Sequence, residues 1–184
     1  MASPIYDHHH AVQFYGDEKT LFDTVAAFLG QGFLDGQPAV VIATAAHGVA
    51  ILNQLQHRMI DVKRAQRVGD LVVLDAHKTL DLFMDRDRPN AARFHDTIGS
   101  VLARMSENRA SGTCVRAYGE MVDVLWKQGR AEAAIELERL WNLLADRYGF
   151  ALLCGYAMGN FRETRLFEEV CRQHTHVMPN SPSH

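Results

Sequence analysis

Five short stretches of this chain are largely apolar on both alternating faces: Ala11 to Tyr15, Ala39 to Thr44, Leu71 to Asp75, Thr113 to Tyr118 and Phe150 to Tyr156. A strand covered on one side alternates polar with apolar, whereas a strand covered on both sides does not, so these stretches predict buried parallel strands. Between them apolar residues recur at intervals of three and four, the spacing of one helix face. The sets are Leu21, Val25, Phe28 and Leu29; Val49, Leu52, Leu55 and Met59; Phe94, Ile98, Val101, Leu102 and Met105; and Leu137, Leu140, Trp141 and Leu144. The alternation predicts right-handed βαβ units in an α/β fold of three layers. A mostly parallel five-stranded sheet carries helices on both faces, with the Ala11 to Tyr15 strand in its interior.

Punctuation fits this pattern. Pro89 stands where a helix would start, Gly129 separates a short helix from a longer one, and Tyr148-Gly149 closes the longer one before the last strand. Residues 1–173 read as a single domain, and the Pro- and Ser-bearing segment 174–184 as a flexible tail. An apolar fraction of 47% with 22% charged residues is that of a globular chain. The 19 Lys and Arg are interleaved with 22 Asp and Glu, for a formal charge of -3. That surface has no basic stripe for nucleic acid and no polybasic membrane patch. Cys114, Cys154 and Cys171 show no CxxC spacing, no apolar run reaches the roughly 18 residues of a membrane span, and Met1 to Asp7 lack the marks of a signal peptide. The expected compartment is the cytoplasm.

The loop after the first strand, Tyr15-Gly16-Asp17-Glu18-Lys19-Thr20, stands where a nucleotide-binding protein carries its glycine-rich phosphate cradle. Lys19-Thr20 would match the end of such a cradle, but Asp17 and Glu18 occupy the place of phosphate charge. Ligands of open parallel sheets bind beyond the carboxyl ends of the strands. That rule selects Tyr15, His47, His77, Tyr118, Glu120 and Tyr156, with Arg116 joining them because an Arg inside a buried strand requires a partner, Glu120 or Asp75. Arg116 and Glu120 start on the same face of the pleat, and the tyrosines supply flat walls with polar tips, so one cavity at the carboxyl edge is expected. The competing reading makes Asp17, Thr44 and Asp75 helix caps.

Other groups carry less. His8, His9 and His10 are adjacent, so they point to opposite faces of a strand and do not grip one ion together; no metal and no cofactor is expected. Cys114 and Cys154 read as small apolar fillers within strands. Trp126 and Trp141 fall at helical spacing and suit a core or a partner-facing surface, including that of a homodimer.

Taken together, His9 to Tyr15, Gly36 to Thr44, Leu74-Asp75-Ala76 followed by Leu80 and Phe83-Met84, Arg116 to Met121, and Cys154-Gly155-Tyr156 resemble the MEDS sensory domain from about His9 to Phe161. The resemblance implies a diverged relative of the RecA and KaiC ATPase fold, found in bacterial and archaeal signalling proteins beside histidine kinase or DNA-binding modules. Against the KaiC-like pattern, the strand ending Ala43-Thr44-Ala45-Ala46-His47 lacks catalytic glutamates, and the strand ending Arg116-Ala117-Tyr118 lacks a magnesium-binding Asp. With cradle, metal carboxylate and base missing together, no catalytic residue is expected. The expectation is therefore a non-catalytic sensory domain that binds a small molecule or a partner protein and relays it to a kinase or transcriptional output. The rivals are a residual nucleotide-binding enzyme using Lys19 and Thr20, and a pure interaction module with no ligand.

Overall fold

The computed structural model describes residues 10–107, 109–110, 113–161 and 164–178. In chain order the elements are β1 (His10–Tyr15), α1 (Glu18–Leu34), β2 (Ala39–Ala43), α2 (Ala45–His57), α3 (Val62–Val68), β3 (Leu71–Asp75) and α4 (Ala76–Phe83). There follow β4 (Met84–Asp85), β5 (Arg88–Pro89), α5 (Ala91–Phe94), a π turn at His95–Gly99 and α6 (Ser100–Ser106). The remainder is β6 (Val115–Gly119), α7 (Met121–Lys127), α8 (Ala131–Tyr148), β7 (Phe150–Ala157), a 3-10 turn at Met158–Asn160, α9 (Thr164–Arg172) and β8 (His176–Val177). None of the described helices is long and apolar enough to cross a membrane.

The main sheet runs β3-β2-β6-β7-β1-β8, with every pairing in it parallel; β4 and β5 form a separate antiparallel pair. Both faces are buried, as the lack of alternation predicts. On one face Tyr15, Val41, Tyr118 and Leu153 pack against Leu21, Val25 and Leu29 of α1, Ile51 and Leu55 of α2 and Val62 of α3. On the other, Val12, Phe14, Val40, Ile42, Ala117 and Leu152 meet α4 to α9. Phe83, Phe94, Trp141 and Phe150 form a chain of edge-on ring contacts through that second layer, the favoured geometry for aromatic pairs. Trp126 and Trp141 are both buried there, so their rings are core rather than a docking surface.

The expected five strands are present, and β1 lies inside the sheet between β7 and β8. The sixth strand corrects the expected tail. Thr175 N–H donates to His10 O and Met178 N–H to Val12 O, each at 2.8 Å, which sets residues 174–178 against the far side of β1. A two-residue strand has no periodicity of its own, and only the free edge of β1 makes it one. Residues 179–184 lie outside the described residues, as do His8 and His9.

Arg116 stands at the start of β6, opposite Ala39, and is 1% exposed. Its guanidinium donates to Gln37 Oε1 and to Phe28 O, both at 2.7 Å, and lies 3.7 Å from Asp35 Oδ2. The partner is thus the carboxyl end of α1 rather than Glu120 or Asp75. To pass over it α1 carries Gly32, where a Cβ would lie 2.6 Å from Arg116 Cδ. Helix propensity alone favours Ala over Gly by about 1 kcal/mol, but here the methyl must displace a buried, multiply bonded side chain. We expect Gly32→Ala to destabilise the protein by about 1–3 kcal/mol in urea denaturation. A gain in stability would show that Arg116 is not held in place.

Candidate functional site

Strands β2 and β6 are neighbours whose chains leave in opposite directions. From β2 the chain goes to α2 on one face and on to β3; from β6 it goes to α7 on the other face and on to β7. Such a divergence opens a crevice at the carboxyl ends of the two strands, the usual ligand position in open parallel sheets. Here Glu120, the residue between β6 and α7, closes it. Its Oε1 accepts from Thr44 N–H at 2.5 Å, and its Oε2 is 2.7 Å from His47 Nδ1 and accepts from the Tyr118 hydroxyl at 2.9 Å. Thr44 is the residue before α2 and His47 lies in its first turn, so a single carboxylate joins the start of α2 to the end of β6. The far nitrogen of His47, Nε2, lies 3.3 Å from Glu18 Oε1 in the first turn of α1.

Tyr15 reaches the same edge from β1, donating to Asp123 Oδ2 at 3.3 Å; Asp123 also accepts from Ala157 N–H at 3.0 Å and pairs with Lys127 Nζ at 2.7 Å. Burial, then the Asp123 and Glu120 carboxylates, push the Tyr15 hydroxyl far up, and burial followed by Glu120 does the same to Tyr118. Both remain protonated donors. Burial by itself would raise Glu120, but the bonds from His47, Thr44 and Tyr118 outweigh it and hold its carboxyl below the usual range. The hydrogen bond to Glu120 raises His47 above its ordinary 6.5, more than burial lowers it.

Four of the seven expected site residues, Tyr15, His47, Tyr118 and Glu120, therefore converge. Three do not. Arg116 shares a face with Glu120 but sits at the opposite end of the sheet. Tyr156 points into the other layer, where its hydroxyl donates to Glu138 Oε1 at 2.8 Å. His77 is exposed on α4 and lines a separate cavity of about 280 Å³ with Leu80, Asp81, Met84 and Arg86. No single cavity unites the expected set. Asp17 and Asp75 act as helix caps: Asp17 accepts from Thr20 N–H at 2.8 Å and from its hydroxyl at 2.7 Å, and Asp75 accepts from Lys78 N–H at 2.9 Å.

Glu138 centres a second polar cluster that spacing in the sequence does not announce. His10 Nε2 is 3.0 Å from Glu138 Oε2 and 3.3 Å from Cys154 Sγ, while His174 Nε2 is 3.3 Å from Glu138 Oε1. Burial acts to raise Glu138, yet the His174 and His10 imidazoles hold it far below the usual range. The signal in the sequence is a carboxylate on the apolar stripe of α8, between Ala134 and Trp141. Asp123, inside the run Met121 to Trp126, is a similar signal at the first site.

Fold and site together define an α/β domain with a cluster of polar side chains at the divergence point of a parallel sheet. A family model described as MEDS, the MEthanogen/methylotroph, DcmR Sensory domain, matches residues 9–175, and the chain belongs to that family. No curated protein matches it.

Two measurements check the site's construction. Asp17→Ala removes the side-chain acceptor of the Thr20 N–H and should lower the midpoint of chemical denaturation. For the pair at the crevice, a raised His47 contributes stability that is present below pH 6.5 and is lost as pH rises through its folded value. A lowered Glu120 contributes above pH 4.5 and loses it as pH falls through its own folded value. Melting temperature should thus fall on going from about pH 6 to about pH 9, and Glu120→Gln should flatten that fall; an unchanged slope would remove the pair from the account.

Proposed function

We propose that the chain is a non-catalytic sensory domain whose signal is read at the β2/β6 crevice, where a small molecule or a segment of a partner protein competes for the Glu120 and His47 groups. The observation that carries this reading is the single carboxylate joining the two diverging chains. Glu120 bonds to the start of α2, to the end of β6 and, through His47, to the first turn of α1. An occupant that takes one of these bonds changes how three elements are held, which converts binding into a movement of helix ends. Relay then passes to a signalling partner, a kinase or a transcriptional regulator, in keeping with the sensory family and with a cytoplasmic setting for three free cysteines.

The chemistry of the edge favours this over nucleotide turnover. Asp17 is spent on capping α1, and Lys19 Nζ is bonded to Asp23 Oδ2 at 3.0 Å on the exposed side of the helix. Glu18, Glu120 and Asp123 make the edge acidic, so phosphate charge meets repulsion there while a neutral hydrogen-bond donor or a cationic group meets acceptors.

Native mass spectrometry of the protein purified under non-denaturing conditions tests the reading. A retained small molecule or co-purified partner is expected with the unmodified chain and is lost in Glu120→Gln. Incubation with magnesium and ATP should give no turnover. Turnover abolished by Lys19→Ala, or retention that is indifferent to Glu120→Gln, would overturn the proposal.

A further inference from the structure

The cluster around Glu138 lies on the opposite face of the sheet from the crevice and plays no part in the reading above. Its four donors, His10 Nε2, Cys154 Sγ, His174 Nε2 and a Glu138 carboxylate oxygen, all lie within 4.8 Å of one another. They come from β1, β7, the segment before β8, and α8. A tetrahedral ion with bonds of 2.0–2.3 Å holds its ligand atoms about 3.3–3.7 Å apart. Three distances within one donor set, 3.0 Å (His10 Nε2 to Glu138 Oε2), 3.3 Å (His10 Nε2 to Cys154 Sγ) and 3.5 Å (Cys154 Sγ to Glu138 Oε2), are close to those edges, and His174 Nε2 stands 3.3 Å from the other carboxylate oxygen, Oε1.

Proton bookkeeping sharpens the point. Asn142 Nδ2 donates to Gln173 O at 3.0 Å, which turns its Oδ1 toward His10 Nδ1 at 2.8 Å; that oxygen only accepts, so His10 Nδ1 carries a hydrogen. His174 Nδ1 lies 2.6 Å from Val170 O and must likewise carry one. Both Nε2 atoms then face inward, and where a ring is neutral its lone pair points at the carboxylate. His174 Nε2, on a side chain 0% exposed, faces Glu138 Oε1 at 3.3 Å. Protonating one ring makes a single ion pair with Glu138 and leaves the other Nε2 lone pair facing the same carboxylate, and protonating both places two cations beside it in a site closed to water. A divalent cation resolves this: two neutral imidazoles, one carboxylate and one thiolate around it sum to zero charge, as a buried site requires. Asn142, Val170 O and the Tyr156 hydroxyl, which donates to Glu138 Oε1 at 2.8 Å, already supply the outer bonds that orient metal-binding imidazoles and carboxylates.

We propose that His10, Glu138, Cys154 and His174 form a buried structural site for a zinc-class divalent cation, which pins the segment 174–178 and helix α8 to strands β1 and β7. Mixed nitrogen, sulfur and oxygen donors in a small tetrahedral site suit zinc or cobalt rather than magnesium or calcium. Binding forms bonds from the two Nε2 atoms, the carboxylate and the sulfur to the ion and releases the Cys154 thiol proton to solvent. No electron is transferred. The closed ligand set leaves no open position for a substrate, so the ion holds structure together and does no chemistry.

The test is metal analysis of the full chain, followed by chelator stripping and reconstitution with Co(II). One metal ion per chain is expected as purified or after reconstitution, with the strong visible absorption of tetrahedral cobalt and a thiolate-to-cobalt band in the near ultraviolet. Cys154→Ser should remove that near-ultraviolet band, and stripping should lower the melting temperature of the unmodified chain but not of His174→Ala. Should Cys154→Ser fail to fold, Cys114→Ser combined with Cys171→Ser decides, since the band must survive there. A chain that takes up less than a stoichiometric amount of metal, or a thiolate band that disappears with Cys114 or Cys171, would overturn the proposal.

Discussion

A parallel sheet covered by helices on both faces excludes water from every strand, so each polar side chain placed within it requires a partner of its own. That constraint organises this protein. Among the described residues four buried charged groups are matched by partners drawn mostly from other elements: Arg116 by Gln37 and the Phe28 carbonyl, Glu120 by Thr44, His47 and Tyr118, Asp123 by Lys127, Tyr15 and the Ala157 amide, Glu138 by His10, His174 and Tyr156. Removing one member strands another in a medium where an unpaired charge is costly, so these groups fix the relative placement of elements that apolar packing alone would leave free to slide.

The two carboxylate clusters share a plan and differ in access. In each a glutamate at one end of a helix or on its buried face accepts a strand tyrosine hydroxyl and faces imidazole nitrogens. At the crevice the imidazole, His47, is partly open to solvent and reaches on to the exposed Glu18. Around Glu138 both imidazoles are enclosed. The open cluster suits exchange with something outside, and the closed one suits permanent fastening. Since the closed cluster holds the segment that pairs with β1, it keeps β1, and with it Tyr15, in register with β7.

Much of this was legible in the residues. Lack of alternation marks strands covered on both faces, and it identified five strands and the interior position of β1. The rule that ligands gather at strand carboxyl ends selects Tyr15, His47, Tyr118 and Glu120, which the fold brings to one edge of the sheet. Arg116 joined the set through its need for a partner and its shared face with Glu120, but pleat parity reports the face of a residue and not its height: four residues of strand span about 13 Å, enough to put Arg116 at the other end of the sheet. The strand-end rule failed for Tyr156 because the face depends on register between strands. Tyr118 stands opposite Leu153, and Tyr15 opposite Ala157, which turns Tyr156 to the other side. The Glu138 cluster was hidden for the same reason, since its members are brought together by pairing between β1, β7 and β8 and by no local spacing.

One buried carboxylate, Glu120, holds the start of α2 to the end of β6. Amide hydrogen exchange, comparing the unmodified chain with Glu120→Ala, which removes the acceptor of the Thr44 N–H, measures this at the bond itself. Faster exchange is expected at Thr44 and the first turn of α2, with β1 and β7 unaffected. Equal protection at Thr44 in the two proteins, or a loss spread evenly over the whole sheet, would contradict it.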